Sequence, residues 1–198
     1  MNKETINRAV KLYFSSYVAA IMGVFIYLSV GVLVSLAFPE GQKLSGTTAI
    51  VMNAISLFLQ GGLFFVIVYG KQWEFGDKDS NAAQFGHVIG DKWRGLKVGL
   101  LAAIPSFVAW LVLVADKVFS FWPYTAAAYR VCQLGLYPVV VWSMGTVVTA
   151  TTADVSWVGI LCAGLPVLYM PVVATVGYYL GYRHIAVWER LVFQRKKK

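Results

Sequence analysis

Residues 12–39 read LYFSSYVAAIMGVFIYLSVGVLVSLAFP, without one Asp, Glu, Lys or Arg. A helix needs about 20 apolar residues to cross the hydrocarbon core of a bilayer, and this stretch exceeds that. The apolar region of a signal peptide is only about 7–15 residues long. The stretch therefore reads as an uncleaved first span, despite Lys3, Arg8 and Lys11 just before it. Further charge-free runs cover 44–70, 98–115, 118–129, 131–153 and 155–182.

Composition agrees with a membrane protein. The chain has 198 residues, 59% of them hydrophobic and 13% charged, with a mean hydropathy of +0.66. Soluble domains carry about 25% charged residues. A net charge of +8 would point to nucleic acid in a soluble protein. Here the bases flank apolar runs, as they do where a membrane protein meets anionic lipid. The expected partner is a bilayer with anionic inner-leaflet lipids, with other membrane subunits as further candidates, and not nucleic acid.

The distribution of bases sets the expected topology. Three lie in the N-terminus through Lys11, five between Lys71 and Lys97, and six from Arg183 onward. Two lie between Asp116 and Ser156, and one at Lys43. Segments rich in Lys and Arg stay cytoplasmic, so both termini and the central polar segment are expected inside. That requires an even number of crossings. The sequence predicts an all-α polytopic protein of the cell membrane, plasma or bacterial inner, as a single domain. Its four spans fall at about 12–38, 47–70, 97–120 and 157–182, with a cytoplasmic loop at 71–96. An outer-face re-entrant or interfacial segment covers 123–156, and a basic amphipathic tail covers 183–198. The stretch 131–150 is the one expected not to cross, because Gly135, Pro138 and Gly145 interrupt it. Five spans with an outer C-terminus is the alternative. Ile6, Val10 and Tyr13, and later Ile185 and Trp188, recur at helical spacing among bases, which predicts short helices on the inner leaflet.

Small residues point to close helix packing. Gly95 and Gly99, Gly177 and Gly181, and Gly159 and Ala163 are each four apart, the spacing that lets helix backbones approach. Pro166 and Pro171 are expected to bend the last span.

The central segment supplies most of the polar chemistry. Asp77-Lys78-Asp79-Ser80-Asn81 begins like a calcium loop, but Ala82 and Val88 stand where a glycine and a bidentate glutamate are required. The reading adopted is a turn at Gly76-Asp77, with Ser80 or Asn81 capping a short helix. Lys92, Arg94, Lys97, Arg183 and Arg190 are candidate lipid-headgroup contacts. Asp91 is expected to begin the third helix, whose N-terminus favours anions. Asp116, Arg130 and Asp154 form a candidate outer polar cluster. Asn53 and Gln60 are candidate intramembrane polar contacts.

Cys132 and Cys162 have no metal-ligand or redox spacing, and whether they pair is open. No catalytic motif, Walker loop or cofactor fingerprint is present, and no cofactor or metal is expected. No predicted span carries a carboxylate, histidine or base near its centre, where proton-coupled carriers place ionisable groups. The sequence reading is a non-catalytic accessory or partner-binding membrane subunit. A component of a transporter or channel is the alternative, and a lipid-modifying enzyme the third reading.

Overall fold

Four helices are long and apolar enough to span a membrane. The computed structural model describes residues 3–37, 46–86, 91, 93–145 and 151–185. Every regular element among them is helical: α1 (Lys3–Ala37), α2 (Gly46–Gln84), α3 (Arg94–Phe119), α4 (Thr125–Cys132), α5 (Tyr137–Met144), α6 (Trp157–Ala163) and α7 (Leu165–Tyr182). Short 3-10 turns at Leu134–Leu136 and Thr152–Asp154 join the smaller pieces.

The stretch 131–150 does not form a fifth long helix among the described residues. Its apolar helical part is Leu134–Met144, about 16 Å at 1.5 Å per residue, against a core of about 30 Å. Gln133 ends α4, and Gly145, at φ 81°, ends α5 in a conformation that favours glycine. The last span is broken too. Gly164 separates α6 from α7 where Trp110 packs so tightly that a Cβ would lie 2.9 Å from its indole. Pro166 then sits in the first turn of α7, where its missing N–H costs nothing.

Two expectations for the polar segments are corrected. Gly76-Asp77 is not a turn, since α2 runs unbroken to Gln84. Gly76 serves a close crossing instead: a Cβ there would lie 2.2 Å from the carbonyl oxygen of Tyr178. Ser80 and Asn81 cap no helix start. Ser80 Oγ meets His184 Nε2 at 3.0 Å, and the Asn81 amide donates to Asp77 one turn back. The N-terminal flank likewise forms no separate surface helix. It is the first turns of α1, continuous with the apolar run. The tail beyond Ile185, and with it Trp188, lies outside the described residues.

Helix α7 is the centre of the bundle. Half of the last span is buried inside the protein, 50% against 17% for α1 and for α2. One core gathers Leu12, Val68, Val98, Ala102, Met170 and Ala174 from four helices. A second gathers Leu113, Tyr129, Val140, Ile160 and Ala163 around the short helices. Both glycine pairs expected to pack do so within this chain. Gly95 and Gly99 of α3 face Tyr178, Pro171 and Ala174 of α7, and Gly177 and Gly181 of α7 face Tyr69 and Trp73 of α2. Apolar residues such as Phe14, Phe25, Leu33, Phe58 and Leu168 remain exposed around the outside, as a lipid-facing perimeter requires.

A glycine pair tests this arrangement. A Cβ at Gly181 would lie 2.1 Å from the Trp73 carbonyl oxygen, whereas one at Gly70 meets nothing within 4 Å. Gly181→Ala should destabilise by about 1–3 kcal/mol through overpacking. Gly70→Ala should be neutral or stabilise by up to about 1 kcal/mol through helix propensity. Thermal unfolding of both variants in one detergent checks the opposed signs.

Candidate functional site

The charged ends of α1 and α2 lie side by side, because antiparallel neighbours place residues 3–11 against 71–84. Their opposite charges meet there. Arg8 donates to both carboxylate oxygens of Asp79, at 2.7 Å each. Such bidentate, charge-assisted pairs are the strong class of hydrogen bond. Arg94, at the start of α3, donates to Asp79 Oδ2 at 3.2 Å and to Glu4 at 2.7 Å. Glu4 also accepts from Arg8 at 2.5 Å. From α7, the Tyr178 hydroxyl donates to Asp79 Oδ2 at 2.8 Å. The Asp91 carbonyl lies slightly farther from that hydroxyl, at 3.2 Å. The ring of Phe75 covers the Arg8 guanidinium at 5.0 Å.

Four helices thus converge on one carboxylate. The side chains of Asp79, Arg94 and Arg8 are only 7%, 10% and 14% exposed. Two cations face two anions, so the cluster is neutral. Desolvating ions is costly, and their mutual attraction offsets this only with good geometry and satisfied hydrogen bonds. Here Oδ1 of Asp79 holds one donor and Oδ2 three. A carboxylate so occupied serves as a structural anchor.

A second tether lies beside it. His184, at φ 54° just past α7, sets Nδ1 2.7 Å from Asp77 and Nε2 near Ser80. The Trp73 indole donates to the Ile185 carbonyl at 2.9 Å. Lys97 is exposed and donates to Asp91 at 2.6 Å, and this ammonium holds the Asp91 carboxyl below its usual range. Asp91 also accepts from the Trp93 N–H at 3.0 Å, just ahead of α3. Arg183 is exposed and lies over the Tyr179 ring at 4.5 Å. Of the five bases offered as headgroup contacts, Arg94 is therefore turned inward, Lys97 and Arg183 are at the surface, and Lys92 and Arg190 lie outside the described residues.

Each member of the proposed outer trio reaches main chain. Asp116 is 2% exposed and accepts from the Trp122 N–H at 2.9 Å, closing the turn that follows α3. Arg130 donates to the Gly145 carbonyl at 2.9 Å at the end of α5. Asp154 accepts from the Thr151 N–H and hydroxyl in a capping box. Asn53 is half-buried on α2. Gln60 is 1% exposed and donates to the Leu134 carbonyl at 2.6 Å. It thereby ties α2 to the 3-10 turn between α4 and α5. Gln72 is fully buried, and neither atom of its amide has a hydrogen-bond partner among the described residues. Both cysteines are free. Among the described residues no group of three His, Cys, Asp or Glu could hold a metal ion.

Glu4, Arg8, Asp79 and Tyr178 escaped the sequence reading. Arg8 and Asp79 are 71 positions apart, and only the fold joins them. A signal was present in the spacing of Gln72, Gly76 and Asp79, which share one face if α2 is extended past Gly70. The calcium-like pattern and the apparent turn obscured it.

Removing the shared acceptor should leave two arginines buried without their partner. Asp79→Asn should cost about 3–5 kcal/mol, and Tyr178→Phe about 1–1.5 kcal/mol for one hydrogen bond. Denaturation of both variants in a common detergent gives the ranking, and equal small losses would contradict it.

No family model, curated protein or solved structure matches this chain.

Proposed function

We propose that this chain is a non-catalytic, multi-pass subunit of the cell membrane that binds partner proteins. One observation carries the reading: the described ionisable groups best placed for chemistry are engaged in holding helices together. Asp79 is saturated by Arg8, Arg94 and Tyr178. Asp116, Arg130 and Asp154 each bond to main chain at a turn or helix end, which supports a structural use of these groups over a lipid-modifying one.

The excess of bases at the N-terminus, around Lys71–Lys97 and in the tail supports cytoplasmic termini. On that orientation the end of α2, the start of α3 and the tail form the cytoplasmic contact surface. Lys92, Lys97, Arg183 and Arg190 meet anionic headgroups there. The short helices α4 and α5, ahead of the last span, form an outer re-entrant or interfacial element.

A transport component is the second reading, favoured by the buried amides of α2. Gln60 joins α2 to the broken segment, and Gln72 offers a buried amide without a partner among the described residues. Tyr13, Ser16, Ser106 and Gln133 contribute polar groups to a small, mostly apolar cavity that Gly135 and Leu136 also line.

Gentle solubilisation of the tagged full chain should copurify a second membrane protein in fixed stoichiometry, and liposomes of the pure chain should pass no ions or small solutes. Reproducible flux from the pure chain would replace the accessory reading with the transport one. A C-terminal reporter should be found on the cytoplasmic side.

A further inference from the structure

We propose that a groove between α1 and α2, at the end of the bundle where the chain begins, is a binding site for one anionic phospholipid. Lys11 of α1 and Lys71 and Lys78 of α2 line it, with Glu74 as its single acid. These residues fall on one face of each helix, since 71, 74 and 78 recur at intervals of three and four. The groove has a volume of about 490 Å³, within the roughly 300–1,000 Å³ typical of small-molecule sites.

Charge and position both select the occupant. Lys78 pairs with Glu74 one turn back at 2.5 Å, with both side chains more than half exposed. An exposed pair of this kind is weak and competes little with a phosphate. Lys11 and Lys71 make no ion pair within 4.0 Å among the described residues, and Lys71 reaches Glu74 only by a longer-range attraction. The groove therefore keeps a surplus of positive charge that the fold does not use. Arg8 and Arg94, in contrast, are consumed by Asp79 and Glu4.

The remaining walls are apolar. Val10 and Phe14 are 46% and 63% exposed, and Val18 continues the exposed strip one turn farther along α1. Phe75 closes the floor, with Arg8 stacked behind it. The groove thus lies where both helices change from charged to apolar sequence, at the level a headgroup occupies. A phosphate fits the lysines, and an acyl chain fits the strip of Val10, Phe14 and Val18. A soluble anion would use only the first half of this site. Basic pockets between helices at a membrane face are known recognition elements for anionic headgroups.

The inference rests on the membrane reading and is tested with the full chain. The protein is reconstituted in phosphatidylcholine nanodiscs containing a minor fraction of phosphatidylglycerol with the same acyl chains. Retained lipid is then counted by native mass spectrometry after extraction in mild detergent. Wild type should keep one phosphatidylglycerol in preference to phosphatidylcholine, and excess inorganic phosphate should not displace it. Retention should fall roughly fivefold for each lysine neutralised in Lys11→Gln, Lys71→Gln and Lys78→Gln. Ser15→Trp fills the groove without changing its charge and should also abolish retention, which covers the case of a triple lysine variant that fails to fold. Undiminished retention in Ser15→Trp, or displacement by inorganic phosphate, would overturn the proposal. So would insertion without preference for phosphatidylglycerol. Failure to enter nanodiscs of any composition would instead reject the membrane reading itself.

Discussion

One carboxylate organises this fold. Asp79 accepts from Arg8 on α1, Arg94 on α3 and Tyr178 on α7, so all four long helices are registered against a single side chain. Apolar packing alone specifies helix register weakly in a membrane, because lipid is as apolar as the core it would replace. A buried ion cluster has few satisfactory arrangements, and every alternative leaves a charge without its partner. Its main contribution is therefore to uniqueness rather than to net stability.

The glycine contacts follow from that constraint. The carboxylate can reach Tyr178 only if α2 and α7 approach backbone to backbone. Gly76, Gly177 and Gly181 allow this, since a Cβ at any of them would lie within 3 Å of main-chain oxygen. Gly95 makes the matching concession to the Tyr178 ring from α3. With the half nearer Asp79 fixed in this way, α7 becomes the central helix. The opposite half of the molecule is held differently, by hydrogen bonds from side chains to main chain. Trp110 donates to Ile160, Tyr129 to Ala163, Arg130 to Gly145 and Gln60 to Leu134. Broken helices expose carbonyls that an unbroken helix would satisfy internally, and these donors cover them.

How much of this was legible depended on the range of the interaction. The long helices were legible because hydrophobic length is local. The interrupted helix over 131–145 was too, because Pro138 and Gly145 act on their own backbone. The GxxxG pairs announced close packing, although their partners were not readable. The polar part of α2 was misread for a physical reason. Gly76 and Asp77 favour a turn in isolation, but a tertiary crossing that needs the missing Cβ overrides that preference. The spacing of Gln72, Gly76 and Asp79 hinted at the Asp79 cluster, but its partners could not be read because the members sit at positions 4, 8, 79, 94 and 178. Bases counted for topology also proved to be of two kinds: Arg8 and Arg94 serve the interior, while Lys11, Lys71 and Lys97 face outward.

Arg94 and Asp79 act together to register the helices. A double-mutant cycle with Arg94→Gln and Asp79→Asn, read by unfolding in one detergent, measures that coupling directly. The expected coupling is about 1–3 kcal/mol, with the double variant less damaged than the sum of the single ones. Additive losses, with a coupling near zero, would show that the two residues do not share an interaction and would contradict that joint role.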